Sequence, residues 1–77
     1  MRQYSFSVVL EPQAGGGFTA LVPALPEVVT EGDTKEEALA HAEEAIRAVL
    51  DFRRDHRLDI PADTPPEIRR VTVVASA

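Results

Sequence analysis

The chain contains no cysteine. Disulfides, thiolate nucleophiles and thiolate metal sites are therefore excluded at the outset. No apolar run approaches the roughly 18 residues that a membrane span requires. The opening Met1-Arg2-Gln3-Tyr4-Ser5-Phe6 lacks the apolar centre and small-residue cleavage site of a secretory leader. The expected compartment is the cytoplasm, with no membrane partner. Histidines number only two, His41 and His56, and they fall 15 positions apart on one helical stretch. That separation turns them by roughly 60° but sets them roughly 22 Å apart, so they cannot act as a pair or share a metal. His41 reads as a solvated helix residue and His56 as a partner for the last carbonyls of the helix. No serine sits in a nucleophile elbow, and Ser5 and Ser7 alternate as on the outer face of a strand. Gly15-Gly16-Gly17 lacks the Gly-Lys-Ser/Thr and the following helix of a phosphate loop, and reads as a hairpin turn. The expectation is a non-enzyme, with no catalytic, cofactor or metal residues.

The 77 residues fit one domain, expected to cover 1–77. Formal net charge is −5 and the pI about 4.8. An acidic surface repels phosphate backbones and argues against direct nucleic-acid binding. It suits a basic protein partner, because opposite charge speeds encounter; it also serves plain solubility, and charge alone does not separate the two. Below about 70–80 residues a single core supplies only a few kcal/mol, and small domains lean on disulfides, metals or association. With disulfides excluded, association with itself or another protein is expected.

Tyr4, Phe6, Val8 and Leu10 recur at period two with Ser5 and Ser7 between them, which predicts a half-buried strand over 4–10. Glu11 to Gly17 then turns the chain. Phe18–Val22 predicts a second strand, and the Pro23-Ala24-Leu25-Pro26 bend leads to a short third over Val28–Glu31. Thr34-Lys35-Glu36-Glu37 is a capping box, in which the Thr34 hydroxyl accepts from the Glu37 N–H and the Glu37 carboxylate reaches back to the Thr34 N–H. Ala38, Leu39, Ala42, Ala45, Ile46, Val49 and Leu50 form an apolar stripe, so a helix is predicted from Lys35 to about Arg54. Arg70-Val71-Thr72-Val73-Val74 predicts a last strand beyond a proline-rich connector. The order β-β-β-α-β gives an α+β fold: an antiparallel three-stranded meander, the last strand beside the first, and one helix on one face. The other face must be polar, blunted or occupied.

Glu11, Glu31 and Asp33 lie near strand ends, and this element order is also that of the start of a ribonuclease H fold. A residual metal-dependent nuclease is one alternative, since such enzymes cluster acids around paired divalent ions. Capping and solubility account for the same acids.

The segment Leu21-Val22-Pro23-Ala24-Leu25-Pro26-Glu27-Val28-Val29-Thr30-Glu31-Gly32-Asp33-Thr34-Lys35-Glu36-Glu37-Ala38 resembles the signature region of HicB-family antitoxins. In that family a hairpin leads into Pro-x-Leu-Pro, a short strand, Thr-x-Gly-Asp-Thr, and a helix opening x-Glu-Glu-Ala. The resemblance runs on through Ala38–Ile46 and takes in Ile60-Pro61 and the closing valine strand. Glu27 departs from it, standing where the family usually has glycine. The resemblance implies a partial ribonuclease H-like fold without catalysis. It also implies an antitoxin of a type II toxin–antitoxin system that occludes a HicA-like toxin, a small basic mRNA-cleaving ribonuclease. It implies self-association, and a toxin-binding half without the C-terminal DNA-binding domain many members carry. The alternative is an orphan homo-oligomeric module without a dedicated toxin. Candidate contacts are Glu27, Glu31 and Asp33, acids near the bend that also read as solvated surface. Phe18 beside the glycine turn reads either as core or as an exposed anchor of the sort that dominates interfaces.

Overall fold

Three short strands and one long helix make up the regular structure of a computed structural model that describes residues 2–76. Strand β1 spans Val9–Pro12, β2 Phe18–Leu21, β3 Val29–Gly32, and helix α1 Lys35–Asp55. The sheet is an antiparallel meander in the order β1-β2-β3, the α+β layout expected from the sequence.

Regular pairing of the first strand begins at Val9, later than the predicted 4–10 segment. Val9 faces Leu21, and beyond Val22 the chain turns away at Pro23, so residues 4–8 have no β2 backbone opposite them. Asp63 supplies the missing acceptor: its carboxylate takes the Ser7 N–H at 2.8 Å and the Ser7 hydroxyl at 2.7 Å. The hairpin turn is the glycine run, where Gly15, Gly16 and Gly17 hold φ of 89°, 109° and 87°. Those angles belong to glycine, which explains three in succession.

Leu10, Ala20 and Thr30 stand in register across the sheet, so they share a face, and α1 lies on it. Ala38 and Ala42 press against Ala20, with Val8, Leu10 and Phe18 around them. The second half of the core is built on the proline bend. Leu25 N–H donates to the Val22 carbonyl and Val28 N–H to the Leu25 carbonyl, each at 2.9 Å, which folds Leu25 inward. Leu25 is the largest fully buried side chain, enclosed by Val22, Val28, Ile46 and Val49. Alanine and valine supply most of the other buried positions, so the core is thin.

The helix begins as a variant of the expected capping box. Thr34 Oγ1 accepts from the Glu37 N–H at 3.1 Å, as predicted. The Glu37 carboxylate takes the Asp33 N–H at 3.0 Å, one residue before the predicted Thr34. Gly32 permits this close seat: a Cβ there would fall 2.7 Å from Glu37 Cβ and 2.8 Å from its carbonyl carbon, nearer than real Cβ contacts come. At its other end the helix closes with a Schellman motif, Leu58 N–H to the Arg53 carbonyl at 2.7 Å and Arg57 N–H to the Arg54 carbonyl at 3.1 Å. Arg57 takes the left-handed position, with φ 55°.

The predicted last strand differs in the structure. Residues 70–74 pair with no strand of their own chain and stand exposed. Exposure reaches 82% at Val71, 77% at Val73 and 99% at Val74. The Ser7–Asp63 bonds bring the connector back to the first strand, but Pro65-Pro66 follows and holds the chain extended as it leaves. The radius of gyration is accordingly 15.6 Å, with extents of 56 × 25 × 18 Å. A compact chain of this length would have a radius of about 11 Å.

Candidate interaction surface

With α1 on one face of the sheet, the residues of the alternate register occupy the other. Val9, Leu21 and Val29 stand in one cross-strand row there, and Glu11, Thr19 and Glu31 in the next. Val29 is 57% exposed, although its row is aliphatic throughout. Glu11 and Glu31 are exposed and flank that row, while Gln13 Nε2 donates to Thr19 Oγ1 between them. This is an apolar strip with negative charge along one side. Its chemistry is that of a surface accepting another protein's apolar and basic groups, since buried apolar area drives association and complementary charge directs it.

The structure separates the predicted contact residues. Glu31 lies on the open face. Asp33 sits just beyond it at the start of α1, exposed, lining with Glu31, Glu37 and His41 a shallow recess of about 260 Å³. Phe18 lies on the opposite, helix-bearing face, half-buried against the alanine cluster, with Lys35 Nζ 5.6 Å from its ring centroid. Glu27 is toward the other end of the helix, where its carboxylate meets Arg53 at 3.3 Å. Its own backbone N–H, and then Arg53, hold the Glu27 carboxyl below the usual range. Arg53 also donates to the Asp59 carbonyl at 3.0 Å, so this arginine ties bend, helix and connector together. In the sequence Arg53 is a basic residue in the last turn of α1, where it suits the helix dipole. Its partners are 26 residues upstream and six downstream, beyond the reach of any local pattern.

His41 also has a structural part that periodicity did not reveal. Its Nδ1 donates to the Glu31 carbonyl at 2.6 Å, which pins the outer edge of β3 to the helix. Thr30 Oγ1 reinforces the link by donating to the Ala38 carbonyl at 3.1 Å. His56 donates to the Phe52 carbonyl at 2.9 Å, as expected, and stacks on the Phe52 ring at 4.1 Å. Among the described residues no group of three or more His, Asp or Glu is placed to hold a metal ion. Nor is any helix long and apolar enough to cross a membrane.

A second concavity runs along the helix-bearing face beside the free edge of the sheet. Tyr4, Ile46, Leu50 and Ile60 floor this groove of about 910 Å³, and Arg2, Glu43, Arg47, Asp51 and Arg54 rim it. No sequence signal marked it, because it forms where a helix over β2 and β3 stops short of the β1 side.

The amino-acid sequence is similar to those of known proteins. The profile of a family described as HicB_like antitoxin of bacterial toxin-antitoxin system matches residues 3–76. The chain is 40% identical over 63 residues to UPF0150 protein Ta0767 of Thermoplasma acidophilum, covering 82% of this chain and 91% of that protein. It is 35% identical over 65 residues to Antitoxin HicB 1 of Photorhabdus laumondii, covering 84% of this chain and 42% of the relative. Antitoxin HicB 2 of the same organism is 40% identical over 60 residues, with 78% and 43% covered. The chain thus spans less than half the length of the two named antitoxins and nearly the whole of the Thermoplasma protein. On its fold, its bend-strand-cap signature and these matches, the chain belongs to the HicB-like antitoxin family.

Proposed function

We propose that this protein is the antitoxin of a type II toxin–antitoxin system, and that it neutralises a HicA-like ribonuclease toxin by covering its active surface. The observation that carries the reading is the open sheet face. An aliphatic row of Val9, Leu21 and Val29, half-buried at the first two and exposed at Val29, lies beside the exposed Glu11 and Glu31 on a chain of net charge −5. A small basic protein complements that face in both hydrophobicity and sign. Neutralisation of this kind is binding without chemistry, so the protein acts as a non-catalytic module. The acids near the helix start, Asp33 among them, add to the attracting field rather than forming a discrete pocket for one ligand.

The test is titration of a HicA-like toxin with the wild type and with a Val29→Lys/Glu31→Lys variant, reading both affinity and residual RNA cleavage. These side chains are exposed, so the variant retains its helix signal. Affinity is expected to fall by at least tenfold, because truncating or reversing a central contact costs more than about 1.4 kcal/mol. Undiminished inhibition by the variant would remove the open face from the mechanism.

The protein is also proposed to self-associate. The exposed valines at 71, 73 and 74 and the thin core support this, since neither is accounted for by one copy alone.

A further inference from the structure

Among the described residues, the outer edge of β1 presents a row of backbone groups without partners. Val22 N–H donates to the Val28 carbonyl, which continues the β2–β3 ladder through even-numbered β2 residues. Gln13 N–H donates to the Gly17 carbonyl, which continues the β1–β2 ladder through odd-numbered residues. Hydrogen-bonding direction alternates along a strand. The backbone groups of Leu10 on β1, and of Val8 just before it, therefore point outward, away from β2. Pro12, also directed outward, has no N–H to lose, which is where an edge strand tolerates proline. On the outer edge of β3 one of the outward groups, the Glu31 carbonyl, is taken by His41.

Beside residues 2–5, which lead into β1, lies the groove floored by Tyr4, Ile46 and Leu50. A strand added outside β1 would direct every second side chain over that floor. The chain carries one unpaired segment with the matching pattern: Val71 and Val73 at period two, exposed by 82% and 77%. Its own subunit does not use it, because Pro65-Pro66 sends it away just after Asp63 has anchored the connector. A short, stiff, proline-containing hinge ahead of an unpaired strand favours exchange between copies over closure within one.

We infer that residues 70–74 of one copy add as a fourth strand to the outer edge of β1 in a second copy, and reciprocally, with alternate valines closing the groove. This specifies how the proposed self-association is built and rests on it. The occupant is a second copy because the segment, the edge and the groove are all present on this chain, and reciprocal exchange uses each of them.

Light scattering on the full chain, with a Val71→Asp/Val73→Asp variant alongside, tests both levels. The wild type is expected at an even multiple of 8.4 kDa and the variant at 8.4 kDa. The variant's helical circular dichroism should be unchanged, since neither valine packs in the core. Isotope-filtered NMR on a mixture of labelled and unlabelled wild type then asks whose β1 each tail touches. Contacts from Val71 and Val73 to Leu10 or Tyr4 of the other copy support the exchange. A monomeric wild type would overturn self-association altogether. An assembly that survives in the variant, or tail contacts confined to the same copy, would overturn strand exchange and leave self-association standing.

Discussion

Several single residues hold positions their neighbours in sequence do not announce. Asp63 is one: it reads as part of a loop, yet it closes the backbone of Ser7, 56 positions away. The Ser7 N–H, and then the Ser7 hydroxyl, lower the Asp63 carboxyl below its ordinary 3.8. A carboxyl lowered on folding contributes stability above its unfolded value and loses it as pH falls through the folded one. The wild type should therefore lose stability relative to Asp63→Asn as pH drops below about 3.8, and the gap between them should narrow. Urea midpoints across the acid range check this, and a gap independent of pH would assign Asp63 a packing role only. Arg57 and Glu27 are two more residues whose positions went unread. Arg57 fills a left-handed site where glycine is usual, so no glycine signalled the helix stop. Glu27 forms a bridge to Arg53, partly exposed, that fastens the bend to the helix.

Between elements, the decisive contact is the junction of β3 and α1. The capping residues Thr34 and Glu37 were legible because a helix start is a local event, satisfied within four residues. The narrowness of the junction was not, since it depends on how closely the first helical turn sits against the strand. Gly32→Ala would drive a methyl into the backbone of Glu37 and Ala38 rather than into a flexible side chain. Overpacking of that sort costs about 1–3 kcal/mol, and denaturant melts should show a loss in that range with the fold retained. A neutral substitution would mean that the helix start can retreat. The helix itself was legible over nearly its full length, Lys35–Asp55 against a predicted end near Arg54, because its apolar stripe is long and regular. The first strand was displaced by several residues for the opposite reason: alternation marks which residues face the core, and regular pairing requires a neighbour that Pro23 removes.

For the whole molecule, the thin core and the elongated shape point the same way. The buried set is dominated by Ala20, Ala38, Ala42, Val22 and Val28, while Val71, Val73 and Val74 stay in water. If folding and association are linked as proposed, thermal stability depends on protein concentration. A tenfold increase should raise Tm by a few degrees, since the mass-action gain of about 1.4 kcal/mol is divided between the copies. Calorimetry at two concentrations decides it, and an unchanged Tm would mean that the single subunit is the folding unit.

What the sequence determined by itself is whatever short-range physics controls: the β-β-β-α order, the glycine turn, the capped helix, and the family signature from Pro23 to Ala38. It also determined that one sheet face would lack a helix, because one helix cannot cover two faces. Tertiary structure alone decided which residues share that open face, that Glu27 stands apart from Glu31 and Asp33, and that Phe18 lies under the helix side. It also decided the fate of the valine strand. Alternation predicts that residues 70–74 suit a strand, but a strand is defined by its partner, and the edge it meets is set by the proline hinge and the path of the connector.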